Sequence, residues 1–182
     1  MRPMLFASAI LAAAAISGGA HAEETLCMTT VGPIALDNIF VPDGKSCTLN
    51  GTRLNGNIVV GTGATLSANG VRVNGNIQAS GARAVYINQD SFAGGSIQLK
   101  QGQIVRIVGA TANGDIQLES NTRRVSVSDS DIGANLQVFQ NTGGVVLRNN
   151  DIAQNMQCKE NSPPPVGGGN VAGDKEDQCA NL

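Results

Sequence analysis

The feature that most constrains this chain is a phrase that returns every nineteen or twenty residues. NGNIQ at 74–78 is echoed by GNI at 56–58, GSIQL at 95–99, GDIQL at 114–118, ANLQV at 134–138 and QNMQC at 154–158. Its apolar residue gives the series Ile39, Ile58, Ile77, Ile97, Ile116, Leu136 and Met156, at intervals of 19, 19, 20, 19, 20 and 20 residues. Two positions later runs a second apolar row, from Val41 and Val60 to Val138 and Cys158. A third row runs from Cys47 to Val145 and a fourth from Leu49 to Leu147, while Leu54, Val73, Phe92, Ala112, Ile132 and Ile152 form a fifth. Each unit thus holds two apolar-x-apolar triplets, the period of short strands with one face inward, plus one isolated apolar residue.

Self-similarity at a fixed period marks a repeat architecture. The simplest object with these rows is an all-β, single-domain parallel β-helix (β-solenoid) of about seven coils, expected to be right-handed. Its strands would pair with their equivalents above and below at ~4.7–4.9 Å, giving a rod roughly 30 Å tall. Where a unit gains a twentieth residue, the extra one falls in a turn: near 88–91, in SNTRR and in QNTGG. A leucine-rich repeat lacks its signature here, and its helical half would be written in poor helix formers. A hairpin fold is the more serious rival, because Asn50-Gly51, Asn69-Gly70 and Asn113-Gly114 are hairpin dipeptides. Later units replace such pairs while keeping the apolar spacing, which favours coils.

Residues 1–22 read as a cleaved signal peptide: Arg2, an apolar run over 4–16, then Ala20-His21-Ala22. The expectation is a secreted protein, periplasmic or extracellular, with no membrane insertion. The single histidine, His21, lies in that leader, so the mature chain has no imidazole for a nucleophilic triad or a metal. No cofactor is expected. With 12 basic against 14 acidic residues, one of the basic ones in the leader, nucleic acid is not an expected partner.

Four cysteines in an exported chain read as two disulfides. Cys27 lies one turn before Cys47 and Cys179 one turn after Cys158, and stacked positions on adjacent coils lie ~5 Å apart. The expected pairs are Cys27–Cys47 and Cys158–Cys179, one at each end of the rod. This divides the mature chain into an N-terminal cap and first coil over 23–48, coils over 49–158 and an irregular C-terminal cap over 159–182. Three prolines followed by three glycines are expected to end the ladder there.

The coil phrase G-N-hydrophobic-Q, the junction NMQCKENSPPPVGGGN and the closing KEDQC together resemble a group of small exported bacterial proteins. The resemblance covers nearly the whole mature chain and implies no catalytic residues. A looser likeness to curli-type amyloid subunits stops at stacked Gln and Asn, since the curli spacing is not matched.

Three sets of polar residues are candidate sites. Asn38, Asn57, Asn76, Asn135 and Asn155 precede the markers and are expected to bond one another along the coil axis. Gln78, Gln98, Gln117 and Gln137 alternate with inward residues, so they should point outward and could bind a polysaccharide or a cell-envelope component. Arg53 and Arg72 near one end, with Asp129, Asp131 and Asp151 near the other, would give a basic-to-acidic gradient. Head-to-tail self-association is one reading of it and a weak cation site at the three aspartates another, although calcium usually wants six or more oxygens. Asp131 and Asp151 are also the one stacked carboxylate pair available for glycoside hydrolysis. Because every connection is short and builds no groove, the leading reading is a non-catalytic structural or surface-interaction protein. A carbohydrate-binding or adhesion protein comes second, and a polysaccharide-acting enzyme third.

Overall fold

The computed structural model describes residues 23–182 apart from Gln89, so the expected signal peptide lies outside the described residues. Three parallel sheets wrap one interior, with nine, eight and seven strands. Each full coil gives one short strand to each sheet, called A, B and C here in the order the chain visits them. Sheet A runs from Glu24–Leu26 through Ile77–Ser80 to Asp174–Asp177, and sheet B from Thr30–Val31 to Val166–Gly168. Sheet C runs from Ala35–Leu36 to Asp151–Ile152. The fold is the expected β-solenoid, and among the described residues no helix is long and apolar enough to cross a membrane.

The strand registers reproduce the repeat. Ile58 pairs Ile77, Ile77 pairs Ile97 and Ile97 pairs Ile116 in sheet A. In sheet B, Leu66 pairs Val85 and Val85 pairs Val105. Inward side chains form continuous columns, and Ile39, Leu49, Ile77, Ile116 and Leu118 are completely or almost completely buried. Full burial of such a side chain contributes about 1.5–3 kcal/mol. The alternating outward residues leave the core dry while the faces stay polar.

One interior position differs from the sequence expectation. Ala93 rather than Phe92 continues the fifth row, because Phe92 pairs Arg72 and Ala93 pairs Val73. Ile87 still pairs Ala68, nineteen residues back, so the inserted residue lies between Ile87 and Phe92 and pushes Phe92 outward. A small alanine then fills the layer that a phenylalanine would have crowded.

The ends hold more coil than expected, and about eight turns replace seven. Glu24–Leu26 already pairs with Asn38–Val41 at the N-terminal end. The C-terminal segment is not irregular: Val166–Gly168 pairs with Val145–Arg148, and Asp174–Asp177 pairs with Asn155–Lys159. The prolines occupy the corner between two sheets, where no ladder N–H is demanded, and Pro165 is buried there. The glycines then enter sheet B, where a Cβ on Gly167 would overlap the Leu147 carbonyl. The run that looked like a ladder breaker is shaped to lie close against the coil before it. The structure closes both expected disulfides, with Cα separations of 5.5 Å for Cys27–Cys47 and 5.2 Å for Cys158–Cys179. They fit an oxidising, non-cytoplasmic setting.

Candidate functional site

Sheet A carries two parallel polar ladders, and they do different work. The inner one begins at the corner where each coil enters the sheet. The Asn57 N–H donates to Asn38 Oδ1 at 2.8 Å, and the Asn76 N–H to Asn57 Oδ1 at 2.8 Å. The Ser96 N–H donates to Asn76 Oδ1, and the Asp115 N–H to Ser96 Oγ. Asn135 donates both its backbone N–H and Nδ2 to Asp115 Oδ1, and the Asn155 N–H reaches Asn135 Oδ1. At a corner the backbone direction changes, so an N–H loses its ladder partner; one short side-chain acceptor per coil supplies another. Every member of this row is half-buried, and its acceptors are occupied by the neighbouring coil.

The outer ladder is the glutamine column. Gln78 donates Nε2 to Gln98 Oε1 at 2.9 Å, and Gln98 donates to Gln117 Oε1 at 3.3 Å. Gln137 donates to Gln157 Oε1 at 3.0 Å, and Gln157 to Glu176 Oε2 at 3.0 Å. These side chains point outward as expected, but they are half-buried and joined along the axis rather than independent. An amide that gives one N–H and one oxygen to its neighbours keeps a second N–H and a lone pair free for a ligand.

Glu176 terminates both ladders, taking Asn155 Nδ2 on Oε1 at 3.1 Å and Gln157 Nε2 on Oε2 at 3.0 Å. The acidic segment Asp174–Asp177 is a strand, and its Glu176 carboxylate supplies the acceptor that the last amides need.

A shallow concavity of about 540 Å³ lies on this face, lined by Val59, Gln78, Gln98, Lys100, Gln101 and Glu119 among others. Val59 opens it with an exposed apolar side chain, 37 % accessible, where the next five coils place glutamine. Lys100 and Glu119 form an ion pair of 3.0 Å on its rim. Apolar, amide and charged groups therefore meet over neighbouring coils.

The acidic edge is differently built. Asp131 and Asp151 are register partners in sheet C and both are exposed. Asp129 stands outside the sheet in a left-handed conformation, φ 54°, where its Oδ1 accepts Asn149 Nδ2 at 3.1 Å. Among the described residues no three His, Cys, Asp or Glu side chains are disposed to hold a metal ion, so the expected cation site does not assemble. The reason is the corner: two residues along a strand would put Asp129 beside Asp131, but the bend turns them apart. Around Asp131 and Asp151 the surface is a depression of about 280 Å³ floored by Ala112, Gly133 and Ala153, without walls.

Two further ladders escaped the sequence reading. At the corner into sheet B, Asn121, Asn141 and Asn161 are fully buried. The N–H of Asn121 donates to Asn141 Oδ1 and that of Asn141 to Asn161 Oδ1, both at 3.0 Å. Their Nδ2 groups reach the carbonyls of Leu99, Leu118 and Val138. Asn150 and Asn170 do the same at the next corner, bonding the carbonyls of Val127 and Leu147. The signal was present in SNT, QNT and ENS at 120–122, 140–142 and 160–162, a second twenty-residue echo outside the main phrase. Compared with known protein families, with curated proteins and with solved structures, the chain gives no match.

Proposed function

We propose that the protein is an exported, non-catalytic interaction module that reads an extended ligand along sheet A. The observation that carries this reading is the glutamine column, which offers unspent amide donors and acceptors at a repeat of ~4.7–4.9 Å along the rod. Its ligand is best drawn as a polysaccharide or another hydroxyl-rich polymer of the cell envelope, lying along the column and seated in the concavity beside Val59. Amides and a partly apolar floor suit neutral hydroxyls and C–H faces, and the Lys100–Glu119 pair cancels charge at the rim. The disulfides and the signal-peptide pattern support an extracytoplasmic setting.

The non-catalytic side of the reading draws on the acidic edge, where Asp131 and Asp151 stand exposed on a flat face that would leave a scissile bond in water. The test is a polysaccharide pull-down with wild type and a Gln98→Ala, Gln117→Ala double variant. The reading expects at least a tenfold loss of binding with only a small drop in thermal midpoint, because both side chains lie outside the core and give up only their ladder bonds. Undiminished binding by the variant, or sugar release that Asp131→Asn abolishes, would overturn it.

A further inference from the structure

Sheet C presents one outward column that runs the length of the rod: Ala35, Arg53, Arg72, Phe92, Thr111, Asp131 and Asp151, each paired with the next. Val171 extends it by a bridge to Asp151. Among the described residues the single ion pair is Lys100–Glu119, so the four charges of this column have no salt-bridge partner among them. Arg53, Arg72, Asp131 and Asp151 are all exposed, and Val171 is 63 % accessible.

The order of the column is its own complement when reversed. We propose that sheet C is the contact face of an antiparallel dimer, its two-fold axis parallel to the strands and passing between the coils of Phe92 and Thr111. That operation sets Arg53 against Asp151 and Arg72 against Asp131, twice each. Phe92 meets Thr111, and Ala35 meets Val171. The corner residues beside the column obey the same rule, for Asp129 faces Gly70, Asn149 faces Gly51 and Asp90 faces Gly109. Each bulky edge residue meets a glycine, and nowhere does a charge meet its like. A parallel dimer would place Arg53 on Arg53 and Asp151 on Asp151. End-to-end stacking leaves the charges pointing sideways, so the gradient does not serve head-to-tail growth.

Size sets the strength. Eight coils at ~4.7–4.9 Å and a strip about five residues wide give on the order of 500 Å² per copy. The total, roughly 1,000 Å², is at the lower limit for a specific interface. Exposed ion pairs add selectivity more than affinity and are screened by salt. The expected dimer is therefore reversible and salt-sensitive, and it closes at two because the face is isologous. This inference is independent of the proposed ligand, since sheet A lies on a different side of the rod.

Sedimentation velocity over a concentration series tests it with a charge swap. Wild type should dimerise at low salt, with at least a tenfold weaker Kd in 0.5 M salt. Variants R53E/R72E and D131R/D151R should each be monomeric, with unchanged circular dichroism and thermal midpoints. An equimolar mixture of the two should dimerise again, because the swap restores all four pairs. Wild type that stays monomeric at low salt, association that survives either charge reversal, a mixture that stays monomeric, or growth beyond two copies would each overturn the proposal.

Discussion

At the corner leading into sheet B, the early coils place Gly44, Gly63 and Gly81 in the left-handed conformation, with φ of 68°, 67° and 71°. Gln101, on the last of the short corners, and Ser120, Gln140 and Glu160, on the longer ones, are left-handed as well, with φ between 55° and 57°. The residues that follow also differ: Ala64 and Ala82 in the early coils, Asn121, Asn141 and Asn161 in the later ones, all of them buried. The later loop is one residue longer, since Leu99 pairs Leu118 nineteen residues on while Val105 pairs Val125 twenty on. Glycine lets the short corner turn without strain, held mostly by backbone bonds, with Asp43 Oδ1 taking the Thr62 N–H at 2.8 Å. The longer corner leaves N–H and C=O groups without ladder partners, and the buried asparagines supply them. Gly102 stands at the junction: its N–H already donates to Asn121 Oδ1, and a Cβ there would come within 2.8 Å of the Ala82 carbonyl. One half of the rod is thus turned by conformational freedom and the other by an internal amide spine.

The comparison breaks most visibly at Asn141. Replacing it by Leu removes the acceptor of the Asn121 N–H and the donor to the Leu118 carbonyl. Each buried group left without a partner costs about 1–3 kcal/mol, so Asn141→Leu should lower the urea midpoint by several kcal/mol equivalent. Asn57→Ala, at a half-buried position whose Oδ1 serves chiefly the Asn76 N–H, should cost ~1 kcal/mol. Equal losses at the two sites would mean that the buried spine is no stronger than the surface ladder.

The two disulfides come next. Loops of 20 and 21 residues predict almost the same entropic loss, on the order of 3 kcal/mol each. Local exchange should separate them. The N-terminal end exposes Leu26, Met28 and Ile34, so a Cys27→Ser, Cys47→Ser variant should lose amide protection over 24–30. At the other end Glu176 caps both ladders and Gln178 shares three hydrogen bonds with Asn161. In Cys158→Ser, Cys179→Ser, the strand Asp174–Asp177 should therefore keep measurable protection. Equal loss at both ends would show that the cysteines, rather than the ladders, hold the C-terminal coil.

How much of this could be read from the residues follows from what each feature repeats. The interior rows were legible because Ile, Leu and Val recur at a period no globular core would impose. Phe92 misled, since hydrophobicity alone cannot tell an inward phenylalanine from one displaced by a single inserted residue. The C-terminal coil is hidden in the sequence because Pro and Gly ordinarily interrupt a ladder, whereas here Pro165 sits in a corner and Gly167 fits against a carbonyl. The asparagine spine is silent in the sequence because asparagine in a turn is ordinarily solvated; only burial distinguishes Asn141 from the exposed Asn149. For the candidate site, the outward direction of Gln78 was legible from alternation, and its bond to Gln98 required register. The separation of Asp129 from Asp131 depended on a bend that spacing does not reveal.

A smaller effect sharpens the contrast of the corners. A Cβ on Gly63 would approach nothing closer than Gly44 at 3.9 Å, so Gly63→Ala tests the left-handed backbone alone, at about 1–2 kcal/mol. Ser120 already bears that cost, and Ser120→Gly should be neutral or stabilising by up to ~1 kcal/mol, tempered by the freedom glycine adds to the unfolded chain. Opposite signs in thermal unfolding would support the two-route picture, whereas a destabilising Ser120→Gly would mean that the later corners depend on the serine side chain.

The smallest expected effect is at the N-terminal end, on Asp37. Asn55 Nδ2 donates to its Oδ1 at 3.1 Å and the Glu23 N–H to its Oδ2 at 3.3 Å, and these bonds hold the carboxyl below its ordinary value of 3.8. A carboxylate whose folded pKa is lowered adds stability above its unfolded pKa and loses it as the pH falls through the folded value. The pH window therefore lies below the ordinary aspartate range. The carboxyl is open to solvent, so Asp37→Asn should leave the neutral-pH midpoint unchanged within error. The bond itself is better read by an NMR titration of the Asp37 carboxyl, which should show a midpoint below that of an unfolded peptide. Asn55→Ala should move that midpoint back toward the ordinary value further than any change at Glu23, because the Asn55 amide is the larger cause. A midpoint already ordinary in wild type would remove this contact from the N-terminal coil and leave that end held by Cys27–Cys47 and its short strand alone.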